Sequence, residues 1–111
     1  MRNKVHLIGN LGANPEVKTL QDGKKVANLS LATNEFYKNA EGKKVKETTW
    51  HNLVAWGKVA EIVEKYLSKG KEVAIEGKLI SRSYNDKEGN KKYITEIQVN
   101  ELLMLGAKAT D

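Results

Sequence analysis

The chain has 111 residues, no cysteine, and 19 Lys and Arg against 14 Asp and Glu, for a net charge of +5. That length holds one domain with its own core, and the missing cysteines exclude disulfides, thiol nucleophiles and thiolate metal sites. With no apolar run near the ~18 residues of a membrane helix and no signal-peptide core, a soluble cytoplasmic domain is expected, and its basic excess permits a polyanion partner without establishing one.

The first strand reads Lys4 to Leu11, with Val5, Leu7 and Leu11 on one parity. Gly9 on the same parity marks a bend or a close backbone approach. Gly12 and Pro15 then interrupt the chain, and Glu16–Leu20 is a short extended piece. Asp22-Gly23 signals a tight turn. The second strand, about Lys25 to Tyr37, alternates Ala27, Leu29 and Leu31 with Asn28 and Ser30. A lysine-rich loop leads to a third strand, about Val45 to Trp56. Both are long for strands, and long strands in small proteins curl toward barrels.

After Gly57 the period changes from two to 3.6. Val59, Ile62, Val63, Tyr66 and Leu67 fall at helical spacing, which predicts a helix over 58–67 with those residues facing the core. Gly70 reads as its stop. A fourth strand, Glu72 to about Tyr84, puts Val73, Ile75 and Leu79 on one parity. A fifth, about Lys92 to Leu103, places Ile97 and Val99 at core parity. Three strands, one helix and two strands is the element order of the OB-fold, a five-stranded Greek-key barrel. An open α+β sheet with the helix on one face fits the same pattern. The expected organisation is one barrel domain over residues 1–106 with a short extension over 107–111.

Nothing points to catalysis. His6 and His51 are far apart within predicted strands. No nucleophile turn, metal-ligand spacing or phosphate-binding glycine loop accompanies them. The chain reads as a non-enzyme with no metal and no cofactor.

The aromatic residues carry more. Tyr66 lies on the helix face and reads as core. In the third strand, Trp50 and Trp56 share parity with Lys46, Thr48 and Asn52, the more polar side. Tyr84 shares parity with Lys78 and Arg82, and Tyr37 ends the second strand beside a basic loop. Exposed rings among lysines suit unpaired nucleic-acid bases, which stack on them while Lys and Arg track the phosphates. A tryptophan pair covering a second core or a subunit interface, with lysines solvating the loops, fits the same parity.

Several blocks together resemble bacterial single-stranded DNA-binding proteins. These are Val5-His6-Leu7-Ile8-Gly9-Asn10-Leu11-Gly12 with Pro15-Glu16-Val17, Val26 to Thr33, Thr49 to Lys58, Ala60 to Gly70, and Val73 to Leu79. The resemblance runs in order to about Gly106. It implies a homotetramer that wraps single-stranded DNA without sequence preference, in a bacterial, nucleoid-associated setting during replication, recombination and repair. It places stacking rings at Tyr37, Trp50, Trp56 and Tyr84. It places DNA-contacting cations at Arg2, Lys58, Lys69 and Arg82. It also places His51 at a subunit interface, where an ordinary core histidine is the alternative. Many members continue into a flexible linker and an acidic, Phe-ended tip that recruits replication and repair proteins. The sequence Ala107 to Asp111 carries neither, so recruitment through such a tip is not expected of it.

Overall fold

A computed structural model describes residues 2–105. The expected extension at 107–111 lies outside them. The elements are β1 (Val5–Leu11), β2 (Glu16–Thr19), β3 (Lys25–Lys38), β4 (Lys44–Trp56), α1 (Lys58–Tyr66), β5 (Glu72–Asn85) and β6 (Lys91–Met104). The short extended piece after Pro15 is thus a strand in its own right. It pairs antiparallel with the first part of β3, Val17 facing Ala27.

Five strands close a barrel in the order β1-β5-β6-β4-β3, and β3 returns to β1 through Asn10↔Ala32 and Leu11↔Leu31. The β4–β6 contact is the one parallel pairing among the described strands, at Leu53↔Ile97 and Val54↔Gln98. This closure is the OB-fold and excludes the open sheet. Gly9 sits where β1 crosses β3. A β-carbon there would meet the Ala32 carbonyl, 3.0 Å from its carbon, so the two strands approach only because the position is glycine.

Alternation fills the barrel. Leu29 and Leu31 from β3, Leu53 from β4, Val73 and Ile75 from β5, and Ile97 from β6 are all buried. Each removes most of its apolar area from water, roughly 1.5–3 kcal/mol per large side chain. The helix lies against β3, β4 and β6 and buries Ala60 and Val63, and Leu67 just past its end is buried with them.

Three expectations are corrected. Tyr66 is not core but 49% exposed, and Ile62 is exposed with it. The barrel covers the stripe through Ala60, Val63 and Leu67, with Val59 packed at its edge, and leaves Ile62 and Tyr66 on the far flank in water. Leu79 faces the same side as its cross-strand partner Ile97, yet it is 49% exposed while Ile97 is buried. The helix ends at Tyr66 with Leu67 already extended, so Gly70, at φ 90°, shapes the turn into β5 rather than stopping the helix.

β3–β4 and β5–β6 continue beyond the core as two paired arms. From Asn34 to Lys38 every residue of β3 is exposed. Both arms end in the same turn. Asn39 Oδ1 accepts from the N–H groups of Glu41 and Lys43, and Asp86 Oδ1 accepts from those of Glu88 and Asn90. Gly42 and Gly89 hold the positive-φ position in each. No helix among the described residues is long and apolar enough to cross a membrane.

Candidate nucleic-acid interface

Cross-strand register sorts the arms into faces, because residues directly opposite one another point the same way. On β3–β4, Ala32 pairs with Trp50, Asn34 with Thr48, Phe36 with Lys46 and Lys38 with Lys44. These form one face. Thr48 Oγ1 donates to Asn34 Oδ1 across it at 2.7 Å. The other face carries Leu31↔His51, Thr33↔Thr49, Glu35↔Glu47 and Tyr37↔Val45.

Trp50 is 61% exposed, yet its ring rests on the backbone at Gly12. Gly12 is itself fixed by its N–H donating to Ser30 O at 2.9 Å. One side of the indole is therefore supported while most of the ring stays open to solvent. The connection after Gly12 also reaches Lys69. Asn14 Oδ1 accepts from the Lys69 N–H at 2.8 Å, and the Gly70 N–H donates to Leu11 O. Trp50 and Lys69 thus flank the same segment.

Trp56 lies six residues along β4 on the same face. With Val26, Val54 and Ile80 it lines a cleft of about 350 Å³, closed at one side by Arg82 and Glu96. Arg82 Nε donates to Glu96 Oε1 at 2.9 Å and Nη2 donates to Oε2 at 3.4 Å. Glu96 is only 7% exposed. The carboxylate holds the guanidinium even more firmly protonated than usual, through the hydrogen bond first and charge second. Tyr84 follows on Arg82's face of β5, half exposed and opposite Lys92.

The structure therefore seats Trp50 against Gly12 beside the segment that holds Lys69, and brings Trp56 and Arg82 to one cleft, with Tyr84 two residues beyond Arg82 on the same face of β5. Lys58 opens α1, two residues after Trp56, and is exposed. Arg2 is exposed beside Asn3, whose side chain exchanges two hydrogen bonds of 2.9 Å with the Leu79 backbone and ties this end of the chain to β5. Tyr37 is exposed but stands on the opposite face of its arm from Trp50. His51 is half-buried on that same opposite face, and its Nε2 and Thr33 Oγ1 share a 3.0 Å hydrogen bond.

Sequence reasoning missed two groups. Glu96 sits on a strand otherwise read for its core positions, and only the β5–β6 register reveals it as Arg82's partner. Gly12 was read as punctuation, yet it is the floor under Trp50. Among the described residues no cluster of His, Asp or Glu could hold a metal ion.

The chain matches the Single-strand binding protein family over residues 2–105. It is 50% identical over 107 residues to Single-stranded DNA-binding protein 1 of Chlorobaculum tepidum, covering 96% of this chain and 66% of that protein. It is 48% identical over 107 residues to Single-stranded DNA-binding protein 1 of Xylella fastidiosa, covering 96% and 79%. Its fold superposes on the Plasmodium falciparum SSB complex with ssDNA at a TM-score of 0.85 and 36% identity, covering 94% of this chain and 95% of that one. A deletion mutant of the Thermus aquaticus single-stranded DNA binding protein gives a TM-score of 0.82 at 27% identity, covering 96% and 51%. Relatives so similar across nearly the whole chain, joined to a closed five-stranded barrel, make this chain a member of the single-strand binding protein family, a family of binding proteins rather than enzymes.

Proposed function

We propose that this chain binds single-stranded DNA without sequence preference and, as a homotetramer, wraps it during replication, recombination and repair. The observation that carries the reading is the exposed Trp50 ring, held against Gly12 and on the same face of β4 as Trp56. Stacking a base on such a ring contributes about 1–3 kcal/mol and needs no particular base, since every base has a π-face. Arg2, Lys58 and Lys69 are exposed cations placed to meet phosphates, and binding them releases counterions, so affinity falls with salt. Arg82 closes the Trp56 cleft with a charge already countered by Glu96. Tyr37 is reached by a strand that rounds the edge of its arm.

Self-association has separate support. The outer face of β1, β5 and β6 exposes Ile8 and Leu103, at 61% and 63%, beside Ala74 and a network in which Glu76 meets Lys4 and His6. Large apolar side chains left in water favour association. His51 is assigned to an interface between copies on the resemblance already given. Such a protein acts in the cytoplasm, at the nucleoid, and other replication and repair proteins are its natural neighbours.

Competition between equal-length single-stranded DNA, single-stranded RNA and duplex, with oligomer mass measured in parallel, tests the proposal. Preference for the DNA strand by a tetramer supports it. Preference for duplex, or indifference to all three, overturns it.

A further inference from the structure

β1, β5 and β6 present an outer face built of cross-strand rows. Ile8 pairs with Ala74, and Ala74 with Leu103, which makes one row apolar. Ile8 and Leu103 are both exposed. In the adjacent row His6 pairs with Glu76, and Glu76 with Glu101. The two rows meet in a shallow hollow of about 340 Å³. His6 Nε2 lies 3.5 Å from Glu76 Oε1, and Lys4 Nζ lies 2.9 Å from Glu76 Oε2. Glu101 joins no ion pair among the described residues and stands directly opposite a second carboxylate, which is unfavourable. Glu72 and Lys78 share the parity of Glu76 along β5 and face the same way. While His6 is neutral, Lys4 and Lys78 thus oppose three carboxylates, Glu72, Glu76 and Glu101, and one negative charge is in excess. A proton on His6 cancels it.

We infer that association of two copies through this face is controlled by His6, whose protonation strengthens it. A copy that covers Ile8 and Leu103 also covers the charged row, about 7 Å away along the strands. Taking a carboxylate out of water without a counter-charge is unfavourable, and a self-complementary contact repeats the penalty in each copy. An imidazolium held against Glu76 leaves Lys4 able to turn to Glu101, so both carboxylates enter the contact paired. Histidine side chains change charge between about pH 5 and 8, and assembly therefore tightens as pH falls through that range. The inference rests on the proposed self-association and gives it a regulator.

The test measures oligomer mass over a dilution series at pH 7.5 and pH 6.0, at one ionic strength and without DNA, for the unmodified protein, His6→Gln and Glu101→Gln. Circular dichroism confirms that each is folded. If the oligomer survives dilution, the series is repeated in urea at the concentration that halves it. The unmodified protein is expected to half-dissociate at an at least about fivefold lower concentration at pH 6.0 than at pH 7.5. His6→Gln should show the same midpoint at both. Glu101→Gln should assemble more tightly than the unmodified protein at pH 7.5 and show a smaller pH difference. A midpoint independent of pH in the unmodified protein, weaker assembly at pH 6.0, or a pH difference that survives in His6→Gln overturns the inference and leaves the oligomer standing. A monomer at every concentration and both pH values overturns the proposed assembly as well.

Discussion

The indole of Trp50 lies directly against Gly12. A β-carbon added at Gly12 would fall 2.8 Å from Trp50 Cη2, so the ring keeps its place only because the residue beneath it has no side chain. Gly12→Val should push the ring off its support without touching the barrel core. We expect weaker oligo-dT binding and a shifted tryptophan emission, with the melting temperature nearly unchanged. Trp50→Ala should cost about 1–3 kcal/mol of binding in an intact assembly, and Gly12→Val a smaller part of that. Titration and melting of both variants check the pair.

Arg82 and Glu96 make a different prediction. Removing the guanidinium leaves a buried carboxylate without its partner, which is unfavourable. Arg82→Met should lower the melting temperature, and adding Glu96→Gln should restore most of it. Because Arg82 is already countered, the slope of log affinity against log salt should change little in Arg82→Met. Lys69→Ala, which removes a cation outside any ion pair among the described residues, should reduce that slope by about 1.

These two pairs show what the sequence makes legible and what it does not. Alternation and the change of period located the strands and the helix, because burial on one face imposes those periods. Parity also found Trp50 and Trp56 facing away from Leu53 and Ala55. Parity gives the face a residue shares but not whether anything covers it, so Leu79 read as core although only its partner Ile97 is buried. Helical spacing does not say how wide a stripe the barrel covers, so Tyr66 read as buried. Contacts such as Trp50 on Gly12 and Arg82 with Glu96 join strands distant in the chain. They follow from register, which no local pattern encodes.

Glu76 links stability to pH. A hydrogen bond from Lys4 lowers its carboxyl below the ordinary range, burial opposes this, and the charges of Lys4 and His6 add to the lowering. The folded state therefore favours the carboxylate. Its contribution is fully present above the ordinary carboxylate value of about 4.3 and is lost as pH falls through the lowered one. Melting temperature followed from pH 6 downward should fall less steeply in Glu76→Gln than in the unmodified protein. An equally steep fall would separate Glu76 from the acid limb.

His51→Lys should weaken assembly, because a symmetric interface repeats the new charge in every copy. Sedimentation is expected to show smaller species at a concentration where the unmodified protein is assembled. An unchanged oligomer would remove His51 from the interface.

The central claim is that single-stranded bases stack on Trp50. Trp56→Phe leaves Trp50 as the sole indole, so its emission reports that ring alone. The account predicts strong quenching by oligo-dT at low salt and little change with duplex of the same length. Unchanged emission at saturating oligo-dT would contradict it.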